Sequence, residues 1–167
     1  MKTLLPLVKI VLLITAALAC ISVAPCQAQE LVGVPQSIQT PTQITRWFLS
    51  EFQYQMKLPD KPQTPQETLK LRTGDCDDFA SLAKAILASN GIKSDLVIIK
   101  YRELNIMHAI CMYKEADGTY SFISNSELKR TGELNFTDAI AKYYPDWKKI
   151  MVRNGSRDDM MTVASAR

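Results

Sequence analysis

A single histidine, His108, is the first constraint this sequence sets. One imidazole and four cysteines, two of them in an N-terminal leader, offer no close Cys/His spacing of the kind a zinc centre requires. Charge of one sign is missing as well: 20 Lys and Arg face 17 Asp and Glu. Lys2 and Lys9 belong to the leader, so 18 basic residues face 17 acidic ones in the remainder, a net charge of +1. That balance carries no electrostatic footprint for nucleic acid or for an anionic membrane surface. The apolar run Ile10 to Val23 is shorter than the ~18–20 residues that cross a bilayer as a helix. Asp75, Asp77 and Asp78 stand close together but lack the spacing of an EF-hand loop. Neither metal nor cofactor is predicted, and there is no internal repeat or low-complexity block.

What is present begins with a leader. Met1-Lys2 to Lys9 is basic, Ile10 to Val23 is apolar, and Cys26-Gln27-Ala28 has the small-x-small form of a cleavage site. Residues 1–28 therefore read as a secretory signal cut after Ala28, and the protein as exported to the periplasm or the medium, with no stable membrane insertion afterwards. Ala16-Ala17-Leu18-Ala19-Cys20 supports a second reading, a lipobox in which Cys20 is lipidated. Residues 29–45, rich in Gln, Thr and Pro, read as an N-terminal arm, 46–153 as one domain, and 154–167 as a flexible polar tail. A monomer is expected.

Hydrophobic periodicity gives the domain an α+β character. Arg46 to Met56 reads as a short amphipathic helix capped by Thr45, and Thr64-Pro65-Gln66-Glu67 as the start of another, running to about Leu71. Phe79, Leu82, Ala83, Ile86 and Leu87 recur on one face of a helix, with Asp75 or Gly74 as its N-cap and Asn90-Gly91 as its stop. Leu96 to Ile99 and Ile106 to Tyr113 read as strands, and Asp117-Gly118 as the turn to a returning strand, Thr119 to Ile123. A small helix starts at Phe136, and Trp147 to Val152 reads as a last strand. The core is a central helix on an antiparallel meander.

The chemistry centres on Thr73-Gly74-Asp75-Cys76-Asp77-Asp78-Phe79-Ala80. Cys76 stands in the first turn of the central helix, where unpaired N–H groups and the helix dipole favour a thiolate and an oxyanion. The flanking aspartates suit the helix N-terminus as caps, although carboxylates kept near the sulfur raise its pKa. His108 is the one imidazole able to act as base. Strand alternation sets Ile106, His108, Ile110 and Met112 on one face and Cys111 on the other, which makes Cys111 a buried, inert thiol. An alternative pairs Cys76 with Cys111 in a disulfide. Asn125, at the end of the next strand, is the candidate to orient the imidazole; Ser124, one residue away, faces the other side, so register decides between them.

These residues resemble the bacterial transglutaminase-like cysteine peptidases, which have a papain-like fold. The likeness runs from Trp47 to Leu128 and rests on Pro65-Gln66-Glu67-Thr68, on Gly74-Asp75-Cys76-Asp77-Asp78-Phe79-Ala80, on the helix ending at Gly91, on His108-Ala109, and on the strand to Asn125. It implies Cys76 as nucleophile, His108 as base and a carboxylate at the end of the next strand. This chain departs there, with Ser124-Asn125 in its place. It also implies an oxyanion donor just before the Pro-x-Glu segment, a position that Gln63 approaches.

The leading expectation is an exported thiol acyl-transfer enzyme, a cysteine peptidase or amidase acting on a peptide or protein with a Cys76-His108-Asn125 triad. Two others stand beside it: a non-catalytic domain that binds a peptide or protein partner, and a protein-crosslinking transglutaminase that uses an amine as acceptor.

Overall fold

The structure, a computed structural model, describes residues 31–56, 61–104, 106–153 and 159–166. The signal segment, its cleavage site and the Cys20 lipobox lie outside the described residues. Among those described, no helix is long and apolar enough to cross a membrane.

Among the described residues, four helices and eight strands follow in order: α1 (Pro41–Glu51), β1 (Gln53–Tyr54), α2 (Pro65–Leu71), β2 (Thr73–Gly74), α3 (Cys76–Ser89), β3 (Ser94–Tyr101), β4 (Met107–Lys114), β5 (Tyr120–Ser124), β6 (Glu127–Glu133), α4 (Phe136–Ala141), β7 (Trp147–Arg153) and β8 (Met160–Ser165). Strands β3 to β8 form one antiparallel sheet in the order β6-β5-β4-β3-β7-β8. The short β1 and β2 pair in parallel beside the start of α3.

Alternation along the strands divides the core in two. Leu96, Ile98, Ala109, Cys111, Tyr113 and Ile123 pack with Phe79, Leu82, Ala83, Ile86 and Leu87 of α3 and with Ile44, Trp47 and Phe48 of α1. Val97, Ile99, Ile110, Met112 and Phe122 point the other way, against Ala139 and Ile140 of α4. The central helix on an antiparallel sheet is the arrangement expected. The second helical cover, α4, is what lets the strands be apolar on both faces.

Several boundaries differ from expectation: the helix read over Arg46 to Met56 ends at Glu51, and β1 follows it. Helix α1 begins at Pro41, inside the stretch read as an arm, because Thr40 and Gln43 form a capping box: Thr40 Oγ1 accepts from Gln43 N–H at 3.3 Å, and Gln43 Oε1 accepts from Thr40 N–H at 2.9 Å. Thr45 is not the cap; its hydroxyl donates back to the carbonyl of Pro41 at 3.2 Å. Part of the stretch read as a tail is β8, which hydrogen-bonds to β7 at the sheet edge. Strand β6, rich in charge and only partly buried, closes the other edge.

Candidate active site

The first turn of α3 is held by a clamp. Asp78, 1% exposed, accepts from the Gln63 backbone N–H at 2.7 Å, from Gln63 Nε2 at 2.6 Å and from Asp75 N–H at 3.2 Å. Asp75 is the N-cap residue and Cys76 the first helical residue. Gly74 leaves room for this approach: a Cβ there would lie 2.6 Å from Asp78 Cβ. The capping role expected of the aspartates falls chiefly to Asp78. Asp77 meets Arg153 of β7, carboxylate to guanidinium at 3.6 Å.

This clamp sets Cys76 into a cleft of about 380 Å³ that it shares with His108, Ala109, Arg153 and the apolar side chains of Tyr54, Met107 and Met160. A larger hollow of about 730 Å³ opens by Gly91 and Lys93, beyond the other end of α3, and holds neither Cys76 nor His108. Burial raises the Cys76 pKa, and the negative charges of Asp75 and Asp77 raise it further. The Ala109 N–H and the cysteine's own N–H act against them, because both donate toward the sulfur. Burial lowers the pKa of His108. Both shifts favour a neutral thiol beside a neutral imidazole in the unliganded protein, rather than a preformed ion pair.

Asp77→Asn removes one negative charge and frees the Arg153 guanidinium, and both changes stabilise the thiolate. The expected result is a Cys76 alkylation profile with iodoacetamide displaced to lower pH; an unmoved profile would show that these charges do not reach the sulfur.

The imidazole is held at Nε2. His108 Nε2 lies 2.9 Å from Ser124 Oγ, and the Tyr144 hydroxyl donates to the same oxygen at 3.0 Å. The rings of His108 and Tyr144 are 5.5 Å apart. Register explains the choice of serine. Cys111 pairs with Ile123, so Ser124 falls on the face of Phe122 and Ile110, which is also that of His108.

The structure therefore brings Cys76, His108 and Ser124 to one place, and not Asn125. Asn125 takes the left-handed conformation (φ 52°) in the two-residue turn between β5 and β6, and its Oδ1 is buried without a hydrogen-bond partner. Gln63 also differs from its expected use. Its Nε2 protons go to Asp78 Oδ2 at 2.6 Å and to the Thr73 carbonyl at 2.9 Å, so no amide proton remains for an oxyanion. Cys76 and Cys111 are both free thiols, and Cys111 is wholly buried under α3, so the disulfide reading finds no support. Tyr144 and Arg153 lay beyond sequence reasoning, since neither sits near a motif.

The carboxylate oxygens of Asp75, Asp77 and Asp78 lie within 4.8 Å of one another, the only such acidic grouping among the described residues. The clamp and the Arg153 pair already account for two of them.

Comparison with known proteins adds three findings. The model of the transglutaminase-like domain family matches residues 27–141. A UPF0252 protein of Archaeoglobus fulgidus is 39% identical over 66 residues, which cover 40% of this chain and 20% of that protein, so the match spans a fifth of the curated relative's length. LapG of Legionella pneumophila superposes with a TM-score of 0.52 at 18% identity, over 83% of this chain and 75% of that one. Its calcium-bound form gives 0.52 at 17% identity, over 84% and 76%. At these identities the likeness to LapG is one of fold.

Proposed function

This chain belongs to the transglutaminase-like domain family, and from that premise we propose that it is an exported thiol-dependent acyl-transfer enzyme, a cysteine peptidase or amidase. The observation that carries the reading is the cleft shared by Cys76 at the start of α3 and His108, whose Nε2 rests on Ser124.

Ser124 on Nε2 leaves Nδ1 as the nitrogen available to the thiol. Cys76 Sγ attacks the carbonyl carbon of a peptide or amide while its proton passes to Nδ1. The first-turn N–H groups of α3, that of Cys76 among them, receive the oxyanion in place of the committed Gln63 amide. Collapse of the tetrahedral adduct breaks the C–N bond, and His108 returns the proton to the departing amine. Water then attacks the thioester, gives a proton to His108, and releases the acid; the thiol regains its proton. An amine in place of that water would give the crosslinking reaction. Hydrolysis is the reading kept here, because no observation favours an amine acceptor. The exposed side chains of Tyr54, Met56, Ile106, Met107 and Met160 around the cleft suit a peptide with bulky apolar residues near the scissile bond.

One observation favours a non-catalytic, peptide-binding domain: a neutral hydroxyl stands on the imidazole where a carboxylate would stabilise an imidazolium. 4-Nitrophenyl acetate separates the two. The enzyme reading expects a burst of nitrophenol with one acetyl group mapped to Cys76, absent in Cys76→Ala and slowed about 100-fold or more in His108→Ala. Acetylation of Cys76 that His108→Ala leaves unchanged would overturn it.

A further inference from the structure

Behind the imidazole stands a group that the thiol chemistry above does not use. Tyr144 follows α4, and its ring lies against Phe122 at 5.8 Å and Tyr101 at 6.3 Å. These contacts fix the ring, and its hydroxyl ends 3.0 Å from Ser124 Oγ. A serine hydroxyl left alone on a strand end rotates among three staggered positions, and only one of them aims the oxygen at a given neighbour. Here two groups converge on it. Ser124 Oγ carries two lone pairs, and the Tyr144 hydroxyl and His108 Nε2 approach at 3.0 and 2.9 Å.

We propose that Tyr144 is a positioning residue for His108: its hydroxyl pins the Ser124 oxygen on Nε2, which fixes the ring and readies an acceptor for the Nε2–H of the imidazolium formed when the Cys76 thiol gives up its proton. The proposal rests on the acyl-transfer reading. The serine–tyrosine pair occupies the place that a carboxylate takes in a triad, with a difference that follows from its chemistry. A carboxylate only accepts, so it dictates the tautomer by itself. A serine hydroxyl both donates and accepts, and if it donated to Nε2, the neutral ring would carry its proton on Nδ1 and could not take one from sulfur. The Tyr144 donor fixes where the serine oxygen stands and leaves the serine's own hydrogen free to turn toward Nε2 or away from it. Once the thiol proton has moved, both ring nitrogens are donors, and the oxygen that Tyr144 holds is already placed to accept from Nε2.

One histidine in the chain makes the test direct, because the imidazole 15N spectrum of untagged protein carries one pair of signals. In the wild type, the Nε2 signal is expected to carry the shift of a nitrogen hydrogen-bonded to Ser124. Tyr144→Phe keeps the ring packing and removes the hydroxyl. It is expected to shift the Nε2 signal and to slow Cys76 acetylation by 4-nitrophenyl acetate about 10- to 100-fold. Ser124→Ala is expected to slow it at least as much, and Tyr144→Phe added to Ser124→Ala to do nothing more, since the phenol acts through the serine. An unchanged Nε2 signal and rate in Tyr144→Phe, or an equal loss in both backgrounds, overturns the proposal. If His108→Ala also leaves acetylation unchanged, it is the enzyme reading that falls; if His108→Ala slows it and Tyr144→Phe does not, only the role of Tyr144 falls.

Discussion

Asp78→Ala is expected to cost about 3 kcal/mol of folding stability and to displace Cys76 from its cleft. The carboxylate is 1% exposed and accepts three hydrogen bonds, two from Gln63 and one from Asp75 N–H. Truncation strands these donors where water does not replace the partner, and each buried unpaired donor costs about 1–3 kcal/mol. Asp78→Asn keeps the shape but turns one acceptor into a donor aimed at Gln63 Nε2, so it should recover only part of the loss. Gly74→Ala attacks the same contact from the other side, because its methyl would lie 2.6 Å from Asp78 Cβ and 2.8 Å from Oδ2. The two substitutions break one clamp, so their effects should fall short of additive. Urea denaturation midpoints check the stability, and the burst with 4-nitrophenyl acetate checks the site. An Asp78→Ala protein within about 1 kcal/mol of wild type would mean that the clamp is ornamental to the fold.

The same residues show how far the sequence could be read. The Gly-Asp-Cys segment, the α3 stripe and the lone histidine led to the family and the α+β fold that the comparisons and the structure bear out. Those features are local or periodic, and local features survive without coordinates. Thr64-Pro65-Gln66-Glu67 was legible as a capping box, whereas Thr40-Pro41-Thr42-Gln43, built on the same plan, was hidden in a Gln- and Thr-rich stretch with no apolar period before it. Strands β6 and β8 were missed because edge strands carry charged or exposed residues and lack the alternation of a half-buried strand.

The choice between Ser124 and Asn125 turned on a single step of register. Phe122 could have decided it: a large apolar residue two positions before Ser124, on the His108 face, shows which way the strand end points. Gln63 was placed near the site in sequence, but its amide is spent on Asp78, a long-range contact that spacing does not reveal. Tyr144 reaches His108 only through tertiary packing, twenty positions beyond the serine it touches.

Raising the pH toward 12 is expected to destabilise this protein through Cys111. The thiol is fully buried under α3, and burial pushes its pKa from 9.0 to about 12; the Ser94 hydroxyl and the Lys84 charge offset only part of that rise. The sign follows from proton counting. Between 9.0 and about 12 the unfolded chain has lost the Cys111 proton while the folded protein keeps it. The unfolded state therefore binds fewer protons in this window, and stability falls as pH rises, by about 1.4 kcal/mol per pH unit. The contribution is whole below the unfolded value. Across the window it amounts to about 4 kcal/mol, a large part of the stability of a domain this size. Tyr144, raised to about 12, and Tyr113, raised by burial and by Glu115, titrate in the same direction at the alkaline end. Cys111→Ala separates the terms. It loses the thiol's packing at every pH, yet its stability should decline less steeply than wild type above pH 9, the tyrosines being common to both proteins. Urea midpoints measured stepwise from neutral pH upward give the two slopes, and parallel slopes would show that Cys111 does not carry the alkaline transition.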